Sequence, residues 1–223
     1  MNFKSKNIVI IGGSSGIGRG IAESFIEKGA NVCITGTRES INDYDEEITE
    51  NIKKCVYRKL DLSETDNLKN LSLPFKNIHT LVCSQGIVAY DRKEFEIDTF
   101  KKIIDLNLNS VMASCSFFHE NLVRNKGSIV IIGSGASYHA VKGNPAYSAS
   151  KGGLLTLIKT LAEAWAINGI RVNGIAPGYV ATKLTEVTFG NEKRYENSLK
   201  NIPLKRWGLP KDMGEVCCFL CSE

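Results

Sequence analysis

Nowhere does this 223-residue chain offer the roughly 18 consecutive apolar residues that a membrane-spanning helix needs. The opening stretch, Met1 to Lys6, is short and polar, and the apolar run behind it stops at Gly12. That is too little for a secretion signal with its cleavage site. A cytoplasmic protein is the expectation. Charge of one sign is missing too, since 28 basic and 24 acidic residues leave only +4. Mixed stretches such as Lys53-Lys54 and Asp45-Glu46-Glu47 read as solvated faces, which excludes a nucleic-acid footprint. Internal repeats, low-complexity tracts and Pro/Ser-rich linkers are absent, so residues 1–223 are expected to form one domain. The seven cysteines make no metal site. Cys218 and Cys221 form a lone C-x-x-C, and no second pair or nearby histidine completes four ligands. With Cys33, Cys83, Cys115 and Cys217 also in apolar runs, they read as buried reduced thiols in a reducing compartment.

What is present is alternation. Short strand-like apolar runs occur at 8–11, 32–35, 55–60, 81–83, 129–132 and 171–175, and helical periodicity fills 16–28, 63–71, 99–125 and 144–168. Repeated strand–helix–strand order with short apolar strands predicts an α/β fold: a doubly wound parallel sheet with helices on both faces. Helix 144–168 carries Leu154, Leu155, Leu157, Ile158, Leu161, Ala162, Trp165 and Ile167 on nearly every side. A surface helix should keep a polar outer face, so contact with a second subunit is expected here, as homodimer or homotetramer.

After the first strand, Gly12-Gly13-Ser14-Ser15-Gly16-Ile17-Gly18 leads straight into a helix. Glycines without Cβ atoms bring backbone N–H groups and a helix N-terminus up to a pyrophosphate. A P-loop needs Lys and then Ser/Thr after its last glycine, whereas Arg19-Gly20 follows here. At the end of the second strand, Thr35-Gly36-Thr37-Arg38 lacks the acid that would bind a ribose 2′-OH. Thr37 and Arg38 suit a 2′-phosphate instead, which leans the reading to NADP over NAD, although Arg38 fits equally well as a solvated loop residue.

Asn144-Pro145 reads as an N-cap with proline in the first helical position, which puts Tyr147 in the first turn and Lys151 one turn on, on the same face. An ammonium about 4 Å from a phenol would favour phenolate by about 4 kcal/mol at an effective dielectric near 20, enough to make the phenol an acid/base near neutrality. Ser134 follows a strand, at the carboxyl edge where open α/β sheets bind ligands; its alternative is a loop serine capping backbone. Asn107, at i+4 from Ile103, points a polar group to an apolar helix face, as a relay member or as a satisfied core asparagine.

These motifs together resemble the short-chain dehydrogenase/reductase family, whose glycine spacing Gly12-x-x-x-Gly16-x-Gly18 matches. The resemblance runs through nearly the whole chain and implies an NAD(P)(H)-dependent oxidoreductase that moves a hydride between nicotinamide and a carbonyl or secondary alcohol. It implies Asn107, Ser134, Tyr147 and Lys151 as catalytic positions, with Asn107 holding a water towards Lys151. Cofactor contacts would come from Gly12, Ser14, Ser15, Gly16, Ile17, Gly18, Thr37, Arg38, Asp61, Leu62, Ser84, Gly86, Tyr147, Lys151, Pro177, Gly178, Val180 and Thr182. Residues 202–208, with Ile202-Pro203-Leu204, Arg206 and Gly208, resemble a later family signature. Ile11 and Cys83-Ser84-Gln85 depart from the usual Thr and Asn-Asn-Ala. Relatives usually continue past residue 223 into a further strand, so strand 171–175 is expected as an open edge. A mobile lid is expected at 182–201, with Phe189 and Tyr195. A 3-oxoacyl thioester, or a sugar or polyol, is the implied substrate. The rival readings are a nucleotide sensor without catalysis, and a methyltransferase, which has no use for Tyr147 and Lys151.

Overall fold

The computed structural model describes residues 1–44 and 49–222, so the acidic stretch Asp45-Glu46-Glu47 lies outside the described residues. In chain order the elements are β1 (Asn7–Ile11), α1 (Gly16–Glu27), β2 (Asn31–Gly36), α2 (Glu50–Lys53), β3 (Val56–Lys59), β4 (Thr80–Cys83), α3 (Ile97–Ile104), α4 (Ser110–Asn125), β5 (Ser128–Ile132), α5 (Pro145–Trp165), β6 (Arg171–Ile175), α6 (Glu186–Phe189), α7 (Glu192–Lys200) and α8 (Pro210–Cys221). All six strands pair in parallel in the order β3-β2-β1-β4-β5-β6. This is the expected doubly wound sheet.

The inner strands β1, β2, β4 and β5 are apolar along most of their length because both faces are covered, whereas the edge strands β3 and β6 carry Arg58, Lys59, Arg171 and Asn173. On one face Val9, Ile11, Leu81, Ile129 and Ile131 pack with Val111, Cys115 and Phe118 of α4 and with Leu154 and Leu161 of α5. On the other, Ile8, Ile10, Ile34, Val82 and Val130 pack with Ile21 and Phe25 of α1 and with Cys217 and Cys218 of α8. All seven cysteines are free thiols and six are buried. The chain leaves β1 in one direction to build β2 and β3, then returns to β1's other side for β4. That reversal opens a crevice above the carboxyl ends of β1 and β4, where such sheets bind ligands.

Three expectations are corrected. Residues 63–71 form no α-helix but a 3-10 run at Thr65–Asn70. In it Leu68 is the buried residue, too small an apolar face to hold a longer helix. The helix expected at 99–125 is interrupted by a π-turn at Asp105–Asn109. Helix α5 does keep a polar outer stripe, because Thr156, Lys159, Thr160 and Glu163 are exposed while its apolar residues pack on the sheet and on α4. The argument from an all-apolar helix to a second subunit therefore falls, with only Ile167, 91% exposed just past α5, left bare. Strand β6 pairs with β5 alone, as expected of an edge, and the Arg171 guanidinium on it donates to the carbonyls of Leu220 and Ser222. Among the described residues no helix is long and apolar enough to cross a membrane.

Candidate active site

The crevice at the switch point is a cleft of about 550 Å³. Its floor is the turn between β1 and α1. Gly12 sits at φ +73°, and a Cβ there would lie 2.9 Å from the Gln85 nitrogen, so only glycine lets this turn pass beneath the β4 loop. Ser14, Ser15, Gly16 and Ile17 line the cleft with it. Gly18 does not; a Cβ on it would lie 2.2 Å from the Gly12 carbonyl oxygen, so its role is close packing of helix on turn. The Ser15 side chain does not cap helix α1, and no acid lies in the helix's first turn. Its positive end therefore suits an anion such as a pyrophosphate.

At one end of the cleft lie Thr35, Gly36, Thr37 and Tyr44. Arg38 is not part of the lining; its guanidinium stacks 4.9 Å from the Tyr44 ring centre, and its backbone N–H donates to the Tyr44 hydroxyl. Asp61 also stands outside the lining, where its carboxylate accepts from the Ser63 N–H at 2.9 Å, while its neighbours Leu60 and Leu62 form the wall. Ser84, Gly86, Pro177, Gly178, Val180 and Thr182 all line the cleft.

At the other end Ser134, Tyr147 and Lys151 meet in one wall. Ser134 follows β5, and its reading as a loop serine capping backbone holds. Its Oγ accepts from the Ala136 N–H at 3.1 Å, and its hydroxyl also hydrogen-bonds the Tyr147 phenol. Lys151 is buried, and its Nζ donates to the Ile132 carbonyl at 2.9 Å, 5.7 Å from the Tyr147 ring centre. The expected tuning is overturned here. Burial pushes the phenol above its ordinary value, with the Glu94 carboxylate adding to the push and the Ser134 hydrogen bond opposing it. Burial likewise takes the Lys151 ammonium down to about 8. Lys151 is not among the groups that shift the phenol; its Nζ is turned to the Ile132 carbonyl.

Asn107 sits on the π-turn, fully buried. Its Oδ1 accepts from the Ile87 N–H and its Nδ2 donates to the Ile87 carbonyl, both at 2.8 Å, and to Ser150 Oγ at 3.2 Å. It is thus a satisfied core asparagine that fixes the β4 loop, and the widened turn is what brings its amide there. A Cβ built on Gly86 would meet Asn107 Oδ1 at 3.4 Å and Lys151 Nζ at 3.7 Å, so the two polar groups face one small gap.

Asn144 occupies the N-cap position of α5 but its side chain does not cap. That work is done by Glu94, whose Oε2 accepts the Tyr147 N–H at 2.8 Å. Glu94 was not legible in the sequence, because Arg92-Lys93-Glu94-Phe95-Glu96 reads as a charged surface stretch. Tyr44 and Tyr90 were also missed. Tyr90 lines the cleft, and its hydroxyl donates to the Leu184 carbonyl, bridging the β4 loop to the segment after Thr182.

The family model described as enoyl-(acyl carrier protein) reductase matches residues 12–223. The 2-dehydro-3-deoxy-D-gluconate 5-dehydrogenase of Bacillus subtilis is 33% identical over 227 residues, which span 100% of this chain and 89% of that protein. The 3-oxoacyl-(acyl-carrier-protein) reductase of Chlamydia pneumoniae is 32% identical over 225 residues, 98% of this chain and 90% of that one. Among solved structures, a candidate NAD(P)-dependent gluconate 5-dehydrogenase of Beutenbergia cavernae, with NADP bound at low occupancy, superposes with a TM-score of 0.88 at 28% identity, covering 99% of this chain and 91% of the other.

Proposed function

The chain belongs to the short-chain dehydrogenase/reductase family, and from that premise we propose that Tyr147, Ser134 and Lys151 carry its reaction. The protein is an NAD(P)-dependent oxidoreductase acting on a carbonyl or secondary alcohol. The observation behind the site reading is convergence: the phenol, the hydroxyl and the amine share one cleft with the N-terminus of α1. A nicotinamide nucleotide fits that cleft, held by Gly12, Ser14 to Ile17, Ser84, Gly86 and Thr182, and supplies the hydride. Ser134 orients the substrate oxygen by a hydrogen bond. Tyr147 gives that oxygen a proton in reduction and takes it in oxidation, its burial keeping the phenol protonated at neutral pH. Lys151, buried beside the phenol, holds a second exchangeable proton, and a water held by Asn107 would link it to solvent. Asp61, Leu62, Pro177, Gly178 and Val180 complete the proposed cofactor contacts.

NADP is the preferred nucleotide in this proposal. Thr37 lines the cleft, and Arg38 lies at its lip, stacked on Tyr44. A guanidinium there suits a 2′-phosphate better than a free ribose hydroxyl. A 3-oxoacyl thioester is the first substrate reading. A sugar acid or polyol is the second, favoured by the hydroxyl-bearing lining of Tyr90, Thr182 and Thr185. Residues 182–201 act as a lid, anchored where Trp207 packs against Phe189 and Tyr195 and donates to Ser198 Oγ at 2.6 Å. The test follows nicotinamide absorbance with acetoacetyl-coenzyme A and with 2-dehydro-3-deoxygluconate, each with NADPH and NADH. NADPH is expected to bind about tenfold tighter, about 1.4 kcal/mol. Absence of turnover with every carbonyl or alcohol in a broad panel, despite nucleotide binding, would leave the sensor reading in its place.

Assembly as a homodimer or homotetramer is part of the same proposal, supported by the bare Ile167 beside half-buried Trp165 and by exposed Phe117 on α4. Sedimentation velocity is expected to show a species larger than one chain, and a monomer at micromolar concentration would remove this part.

A further inference from the structure

Among the described residues Glu94 is the acid with no surface open to solvent, at 0% exposure. It sits in the 3-10 turn Lys93–Phe95. Closing a carboxylate off from water costs several kcal/mol unless its lone pairs are filled. Here they are filled by donors. Oε1 accepts from the Ala89 N–H and from Asn144 Nδ2, both at 3.0 Å, and Oε2 accepts from the Tyr147 N–H at 2.8 Å. Asn144 Nδ2 closes the ring by also donating to the Ala89 carbonyl at 2.8 Å. The set has three N–H donors on one carboxyl group at the positive end of a 21-residue helix, the pattern of an ionised carboxylate.

The ring joins two parts of the cleft. On one side is the backbone of Tyr147, so the carboxylate fixes where α5 begins and which way its first turn faces. On the other is Ala89, between Val88 and Tyr90, both of which line the cleft. We propose that Glu94 is a positioning residue for the reaction: its carboxylate clamps the Tyr147 backbone to the wall formed by Val88 and Tyr90, so that the phenol and the wall facing the substrate are held in one register. The proposal rests on the reading of Tyr147 as the acid/base. It also explains why a charge is kept in a dry place, since a neutral cap would satisfy the helix N-terminus equally well but could not accept from three donors at once.

The same charge acts on the phenol, which it pushes up along with burial. The other groups facing Tyr147 are the Ser134 hydroxyl after β5, Lys151 on α5, Tyr90 in the β4 loop, whose phenol is itself raised by burial, by Tyr147 and by Glu94, and Lys183 in the cleft wall. Removing the Glu94 charge lowers the Tyr147 titration, and taking a hydrogen-bond donor away from that charge raises it.

The full-length chain, with tyrosine isotopically labelled at ring Cζ, gives the test by NMR, the Tyr147 resonance being the one that Tyr147→Phe lacks. In Glu94→Gln the resonance is expected to titrate at lower pH than in the wild type. In Asn144→Ala, which keeps the charge and removes one donor from it, the titration is expected to move to higher pH. Loss of packing alone lowers the melting temperature and moves neither midpoint in this opposed way. Unchanged midpoints in both folded variants overturn the proposal. If Glu94→Gln does not fold, an unchanged midpoint in Asn144→Ala does so by itself. The two readings fail separately. Full turnover by Tyr147→Phe removes the acid/base and leaves the titration readable, whereas unmoved midpoints beside an inactive Tyr147→Phe remove the clamp alone.

Discussion

Tyr147→Phe is expected to bind nicotinamide nucleotide and melt like the wild type while turnover falls by about three to four orders of magnitude. Phenylalanine keeps the ring and the helix, so the shape of the cleft survives. What is lost is the proton and one hydrogen bond with Ser134, which alters stability by about 1 kcal/mol. Because burial holds the phenol above its ordinary value, the wild-type enzyme is expected to reduce carbonyls with little change through neutral pH. Its oxidation of alcohols is expected to climb with pH, as the deprotonated phenol becomes populated. The measurement is the rate of nicotinamide absorbance change in a single turnover, in both directions. A Tyr147→Phe rate within tenfold of wild type sinks the assignment.

Lys151→Met should make the protein more stable and almost inactive. The drop of the ammonium from 10.5 to about 8 corresponds to about 3 kcal/mol of resistance to carrying charge in the folded state. The sign follows from which state holds the proton. Between about pH 8 and 10.5 the unfolded lysine is protonated and the folded one is not, so stability rises with pH across that window. Below pH 8 the buried charge weighs on the fold in full. Methionine removes the charge at similar length and gives up one hydrogen bond to the Ile132 carbonyl, worth about 1 kcal/mol. The net expectation at pH 7 is a gain of about 2 kcal/mol, or a melting temperature higher by about 5 °C. The gain shrinks as pH approaches 10.5. Thermal melts at pH 7 and pH 10 check it, and a lower melting temperature at pH 7 contradicts the account. Turnover should fall at least a hundredfold, because the amine beside the phenol is gone.

The residues most visible in the sequence were those whose type alone fits one purpose. Gly12 is at φ +73° under the β4 loop, and no other residue type would stand there without strain. Tyr147 and Lys151 are one helical turn apart on a helix that proline announces, and the structure places them in the same wall. Glu94 shows the opposite case. Its neighbours in sequence are charged and exposed, and nothing local separates it from them. Its burial is decided by Asn144 and Tyr147, 50 and 53 residues away. Asn107 lies between. Its inward direction could be read from helix periodicity, but the π-turn that carries its amide to Ile87 could not.

The electrostatics were legible only in part, for the same reason. Spacing fixed the proximity of phenol and amine, yet the sign of their tuning depends on how much water each keeps. Spacing says nothing of that. Lys151 proved dry and turned to Ile132, and the phenol is governed by burial, Ser134 and Glu94.

By itself, then, the sequence determined the strand order along the chain, the parallel sheet, the glycine turn and the Tyr147–Lys151 spacing. Each of these follows from local periodicity or from a residue's own stereochemistry. Only the tertiary structure decided which wall of the cleft each group occupies, that Gly18 packs instead of lining, that Arg38 stacks on Tyr44 outside the lining, and that a buried carboxylate starts helix α5. Those outcomes depend on desolvation and on partners distant in the chain, and pairwise spacing carries no record of either.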